Sequence, residues 1–142
     1  MNSTTIQLVQ TSFQKVLPIA DQAMVIFYEK LFEINPAVQS LFPSNQEKMG
    51  NQRNKLRNML AAAVAGLSNL PKLVPILQGL GKRHATYGVT TAHYDDVGAA
   101  LIATLEAGLG NDFTPEVKQA WTEVYGLMAS TMIEAAESVE VA

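Results

Sequence analysis

The chain has 142 residues, 48% of them hydrophobic and 16% charged, with ten Lys and Arg against thirteen Asp and Glu and no Cys. A chain of this length buries about 70% of the surface its unfolded form exposes, so one core suffices, and the composition excludes disorder, disulfides and thiolate metal sites. The net charge is −3 with cations scattered apart from short pairs, and there is no long apolar run and no signal-peptide pattern. These features argue against nucleic acid and membrane insertion and point to a cytoplasmic protein.

Apolar residues recur at helical spacing nearly throughout, and no segment alternates long enough for a strand, which predicts an all-α single domain over residues 1–142. A first helix carries Ile6, Val9, Phe13, Val16 and Leu17 on one face and stops near Pro18. A second starts at about Asp21, read as an N-cap, turns Met24, Phe27, Tyr28, Leu31 and Phe32 inward, and breaks at Asn35-Pro36. A short helical segment over 36–41 ends at Phe42-Pro43, and residues 44–50 read as a polar loop. From about Asn51 a helix repeats Leu56, Met59, Leu60, Ala63, Val64 and Leu67 until Asn69-Leu70-Pro71. The next bears Leu73, Ile76, Leu77, Leu80 and His84 and ends at Tyr87-Gly88, where glycine can terminate a helix. Another carries Tyr94, Val97, Leu101, Ile102, Leu105 and Leu109. Thr114-Pro115-Glu116 then supplies a capping hydroxyl, a first-position proline and an early acid for a last helix that buries Val117, Trp121, Val124, Met128 and Met132.

His84 stands out because the apolar stripe it extends has no other polar occupant. An imidazole facing inward there either forms a hydrogen bond within the core or ligates a metal. Gln52, four residues before Leu56, is either an amide on the core stripe or a solvent-facing residue near a helix start. Tyr28, four residues after Met24, is either a pocket hydroxyl or a core ring with its oxygen at the rim.

The ordered pieces Phe27-Tyr28, Leu41-Phe42, Leu80-Gly81-Lys82-Arg83-His84, Gly88-Val89, Ala92-His93-Tyr94, Val97-Gly98 and Ala120-Trp121 with Val124-Tyr125-Gly126 resemble the globin family over essentially the whole chain. They are similar to single-domain bacterial haemoglobins, to the globin domains of flavohaemoglobins and to neuroglobins. The resemblance implies the full three-over-three globin fold and haem b, iron protoporphyrin IX, as cofactor. It implies that His84 is the proximal iron ligand, with Nδ1 bound to the Leu80 carbonyl. It places Phe42 against the porphyrin, Tyr94 near the proximal pocket, and Tyr28, Gln52 and Leu56 on the distal side, where the hydroxyl and amide could donate to dioxygen. Gln46 is the alternative to Gln52 should the register slip. Lys55 could reach a haem propionate, as could Arg53 or Arg83, although such side chains are often merely solvated. His93 reads as a capping or rim residue.

Two departures from these relatives qualify the expectation. No distal histidine is available, so ligation by two histidines as in neuroglobins is not expected. The position where flavohaemoglobins carry a proximal glutamate is Ala136, with Glu134 and Glu137 off the buried stripe, which puts peroxidase-like chemistry in doubt. The expected function is reversible binding of dioxygen, for storage or delivery, at a penta-coordinate ferrous haem that also takes carbon monoxide and nitric oxide. The alternatives are a nitric oxide dioxygenase served by a separate reductase, a haem-based gas sensor, or a helical domain that holds no haem and offers an apolar groove to a partner.

Overall fold

The side chain of Asn2 accepts a hydrogen bond from the Thr5 amide at 2.8 Å and opens the first helix, α1 (Ser3–Val16). The structure, a computed structural model, describes residues 2–141, with side chains through residue 137. Among the described residues there are no strands; α1 is followed by α2 (Ala20–Ile34), α3 (Gln46–Gly66), α4 (Leu70–Thr86), α5 (Thr91–Leu109) and α6 (Pro115–Val141). Short 3-10 turns at Leu17–Ile19, Pro36–Leu41 and Gly110–Asp112 connect them. The dominant packings are α4 on α6, α2 on α5 and α1 on α6, giving the expected arrangement of three helices over three.

Trp121 is the largest fully buried side chain, and burying an indole requires a partner for its N–H. Its Nε1 donates to the Ser12 hydroxyl at 2.8 Å, and that hydroxyl donates to the Leu8 carbonyl at 2.7 Å. One polar chain inside the core thereby fixes α6 against α1, with Val9, Val124 and Phe13 packed around it.

Several sequence expectations about element edges are corrected. Asp21 does not cap α2; that helix starts at Ala20 without a side-chain cap, and Asp21 in its first turn instead pairs with Arg57 of α3. Residues 44–50 are not all loop, because the Asn45 side chain accepts from the Glu47 and Lys48 amides and starts α3 at Gln46. Leu17 is exposed, since the chain leaves α1 into a 3-10 turn at Pro18. Ile76 is also exposed at 48%, because α4 presents Leu73, Leu77 and Gly81 to the core and Ile76 falls beside that line. The Thr114 cap does form, through its Oγ1 and the Val117 amide at 3.3 Å.

The position of α4 is set at Gly81. A Cβ there would lie 2.6 Å from the Met132 Cα and would also strike the Met132 carbonyl, so the two backbones approach as closely as a glycine permits. The helix ends in a motif that needs a second glycine: Gly88 has φ 88°, and the Val89 and Gly88 amides donate back to the carbonyls of His84 and Ala85. Between these glycines lies His84, held from both sides.

Gly81→Ala should therefore cost about 1–3 kcal/mol through overpacking against backbone that cannot rotate away. Gly126→Ala, at an exposed position of α6 where an added Cβ meets nothing within 4 Å, should stabilise by about 0.5–1 kcal/mol. Urea unfolding midpoints of the two variants, compared with the parent, check both signs.

Candidate functional site

His84 is half-buried in the last turn of α4, and its Nδ1 lies 2.9 Å from the Leu80 carbonyl one turn earlier. A carbonyl can only accept, so Nδ1 carries the proton and Nε2 presents its lone pair. Burial holds the imidazole below its ordinary pKa range, opposed by the Leu80 hydrogen bond and aided by the positive charge of Arg83. The residue is thus a neutral donor with one oriented nitrogen.

On α2 and α3 the structure brings two further predicted residues together. The Gln52 Nε2 donates to the Tyr28 oxygen at 3.3 Å, which leaves the phenolic O–H of Tyr28 able to donate elsewhere. Burial raises the Tyr28 pKa against the opposing influences of Gln52 and Arg53, so the hydroxyl stays protonated and remains a donor. Gln46 lies in the exposed first turn of α3 and makes no such contact. Phe42 meets Tyr28 edge-on with ring centroids 5.3 Å apart, and Phe27 and Phe32 complete an aromatic cluster around that tyrosine. A cavity of about 450 Å³ opens beside it, lined among others by Phe32, Phe42, Met49 and Arg53.

Leu56, Met59, Phe42, Leu80, Val97 and Ile102 are only partly buried although all pack on the core. They come from α3, α4, α5 and the segment before α3, and each leaves apolar surface that the protein alone covers incompletely. Lys55 is exposed and makes no ion pair among the described residues. His93 accepts a hydrogen bond from the Thr90 amide at 2.9 Å and caps α5.

Tyr94 is buried, and among the described residues its hydroxyl has no hydrogen-bond partner. Desolvation raises its pKa, which keeps it neutral. Ala136 is half-buried while Glu134 and Glu137 are exposed, so neither carboxylate satisfies that hydroxyl. Tyr125, which sequence reasoning used only as part of a motif, locks the same place: its hydroxyl donates to the Tyr94 carbonyl at 2.6 Å. Its ring lies where a Cβ on Gly98 would come within 2.8 Å. The Tyr125 hydroxyl is pushed far above its usual range by burial and by the neighbouring Tyr94 and Asp95. The signal in the sequence was Gly98, one turn after Tyr94, where only the smallest residue admits that ring.

No cluster of three or more His, Cys, Asp or Glu is present among the described residues. A single imidazole holds a transition metal firmly only when the metal brings its own equatorial ligands, as a macrocycle does. The oriented Nε2 of His84, the incompletely covered apolar residues and the flat Phe42 ring fit such a planar apolar group.

The Globin family model matches residues 25–132. The chain is 27% identical over 133 residues to a flavohemoprotein of Bacillus subtilis and 29% identical over 133 residues to a flavohemoprotein of Rhodopirellula baltica; each match covers 94% of this chain. The chain spans about a third of the length of these curated relatives, 33% in both cases. A solved bacterial globin from Campylobacter jejuni superposes with a TM-score of 0.86 at 20% identity, covering 99% of this chain and 100% of the other.

Because the folded-state pKa of His84 is depressed, its contribution to stability is complete above about pH 6.5 and is lost as the pH falls through the lower folded value. In the chain freed of any prosthetic group, an NMR titration should place the His84 midpoint below about 6.5. His84→Gln should remove part of the fall in urea midpoint between neutral and mildly acidic pH. An unchanged acid sensitivity in that variant would contradict the assignment.

Proposed function

The chain belongs to the globin family, and we propose that it carries haem b on His84 and binds dioxygen reversibly for storage or delivery. The observation that carries the reading is the His84 imidazole, whose Nδ1 is committed to the Leu80 carbonyl and whose Nε2 is left as a lone-pair donor. A ferrous haem held there would supply the iron at which dioxygen, carbon monoxide or nitric oxide binds. The chain's own residues do the remainder. His84 would anchor and orient the group; Phe42 and Leu80 would pack on its ring, and Leu56 would help exclude water. Tyr94, kept neutral, sits on the proximal side, and Lys55 serves a propionate at the rim.

Discrimination between ligands belongs to Tyr28 and Gln52. The Gln52 amide fixes the Tyr28 oxygen and leaves the phenolic proton free to donate to a ligand that carries partial negative charge. Dioxygen is the more polar ligand and gains from that donor; carbon monoxide gains little.

Kinship with flavohemoproteins favours a second reading, nitric oxide dioxygenase activity with electrons from a separate reductase. Against it stands the unpartnered Tyr94 hydroxyl. Among the described residues no carboxylate bonds the Tyr94 hydroxyl, the group through which one would make His84 more anionic. No helix among the described residues is long and apolar enough to cross a membrane, and a chain without Cys suits the cytoplasmic location we assign.

The purified protein should show a haem spectrum that shifts on reduction with dithionite and again with carbon monoxide. His84→Ala should lose stable haem or retain it only with added imidazole, and a variant with unaltered ferrous and carbonyl spectra would refute the axial assignment. Tyr28→Phe and Gln52→Leu should each speed dioxygen release about ten- to a hundredfold, the equivalent of a hydrogen bond to a charged acceptor. Carbon monoxide release should change much less. Flash photolysis and stopped-flow exchange measure both ligands, and equal effects would remove the donor roles.

A further inference from the structure

The net charge of −3 conceals a sharp division by sign. Residues 48–94 hold seven of the ten Lys and Arg and none of the thirteen Asp and Glu, so a stretch of +7 is joined to a remainder of −10. That stretch comprises nearly all of α3, the whole of α4 and the start of α5. Lys48, Lys55, Lys82 and Arg83 are exposed and form no ion pair among the described residues. The nearest acids in sequence are turned elsewhere or lie at the margin. Asp96 accepts from the Asn35 amide at 2.9 Å, Asp95 acts on Tyr125 of α6, and Glu47 stands in the first turn of α3.

The basic region also has an apolar centre. Tyr87 is 65% exposed, far more than an aromatic ring ordinarily is, and it lies against His84 with ring centroids 6.1 Å apart. Beside it, a Cβ on Gly88 would meet the side chain of Leu41, which is itself 41% exposed. From Leu41 the surface continues through Phe42 into the cavity that Met49 and Arg53 line on α3. One band therefore joins the end of α4 to the first half of α3, with an exposed aromatic and a leucine at its centre; the exposed Lys82 and Arg83 belong to the last turns of α4 and Lys48 to the first turn of α3. An apolar centre with a polar rim is the anatomy of a protein interface.

We propose that this band docks a small acidic electron-transfer protein. The inference rests on the reading of His84 as the ligand of a redox-active haem, because a partner seated on Tyr87 stands directly beside that residue. The charge on the band selects an acidic surface and steers it by long-range attraction, while a small, wet contact allows rapid release. A nucleic acid duplex fits less well, since it extends beyond the band onto the strongly acidic remainder of the chain.

An acidic [2Fe–2S] ferredoxin titrated into the isotopically labelled protein supplies the test. Amide shifts should concentrate at residues 82–88, 39–42 and 48–53. Affinity should fall steeply with added salt, and the double variant Lys82→Glu/Arg83→Glu should weaken binding about tenfold or more. Tyr87→Ser should weaken it without altering the salt dependence, and Lys118→Glu on α6, outside the band, should change it less than about twofold. Helix content by circular dichroism and the haem spectrum are recorded for every variant. No binding, a footprint elsewhere, equal weakening by Lys118→Glu, or equal affinity for a DNA duplex would overturn the proposal. A normal haem spectrum without a footprint defeats the docking site alone, whereas a missing haem spectrum defeats the functional reading and leaves the footprint to be judged separately.

Discussion

The contact between Gly81 and the backbone of Met132 is the constraint on which the rest of the site depends. Helices normally stand apart by the bulk of two side chains; here one side is empty, and α4 lies on α6 at backbone distance. Since α4 is rigid, this one contact sets the height and rotation of every residue that follows it for a full turn. His84 is three residues on. Its carbonyl is gripped by the glycine-terminated end of the same helix and its ring by the Leu80 carbonyl, so neither the backbone nor the imidazole has freedom to search.

Neutral groups do the polar work in this site. Burial drives His84 toward its unprotonated form and Tyr28 toward its protonated form, and in each case the neutral state is the one with the useful hydrogen or lone pair. A charged residue in the same place would need a buried counter-charge and would cost several kcal/mol to desolvate. The exception to pairing is the Tyr94 hydroxyl. Among the described residues that buried hydroxyl has no acceptor, which carries a desolvation cost of about 1–3 kcal/mol.

The same two helices, α3 and α4, present an apolar inner lining and a cationic outer face. The apolar residues are partly exposed in the protein alone, and of the outer cations Lys48, Lys55, Lys82 and Arg83 form no ion pair among the described residues, whereas Arg57 pairs with Asp21. Both features leave favourable interactions unmade within the chain and available to other molecules, a planar apolar group inside and an acidic surface outside. Acids spaced along both helices, beyond the one Glu47 in the first turn of α3, would have satisfied the outer face internally.

How much of this was legible in the sequence follows the range of the interactions involved. Helical spacing alone determined the all-α class, the inward residues of α2, α5 and α6, and the Thr114 and Gly88 helix signals, because periodicity, capping and positive φ are settled within one or two turns. Residue order also sufficed for the globin resemblance and for singling out His84, Tyr28 and Gln52. Tertiary structure alone decided that Asp21 pairs with Arg57 rather than capping α2, and that Ile76 and Leu17 face outward. It decided that Gln52 and not Gln46 meets Tyr28, that Tyr125 locks the Tyr94 carbonyl, and that the Tyr94 hydroxyl finds no partner among the described residues. The two glycines show the division most clearly. Gly88 could be read as a stop because its backbone angle is a local property, whereas Gly81 looks like any helical glycine until α6, some fifty residues later in the chain, is laid across it. A stripe of apolar residues states that a face is buried; which side chain or backbone covers it depends on an element that local spacing does not contain.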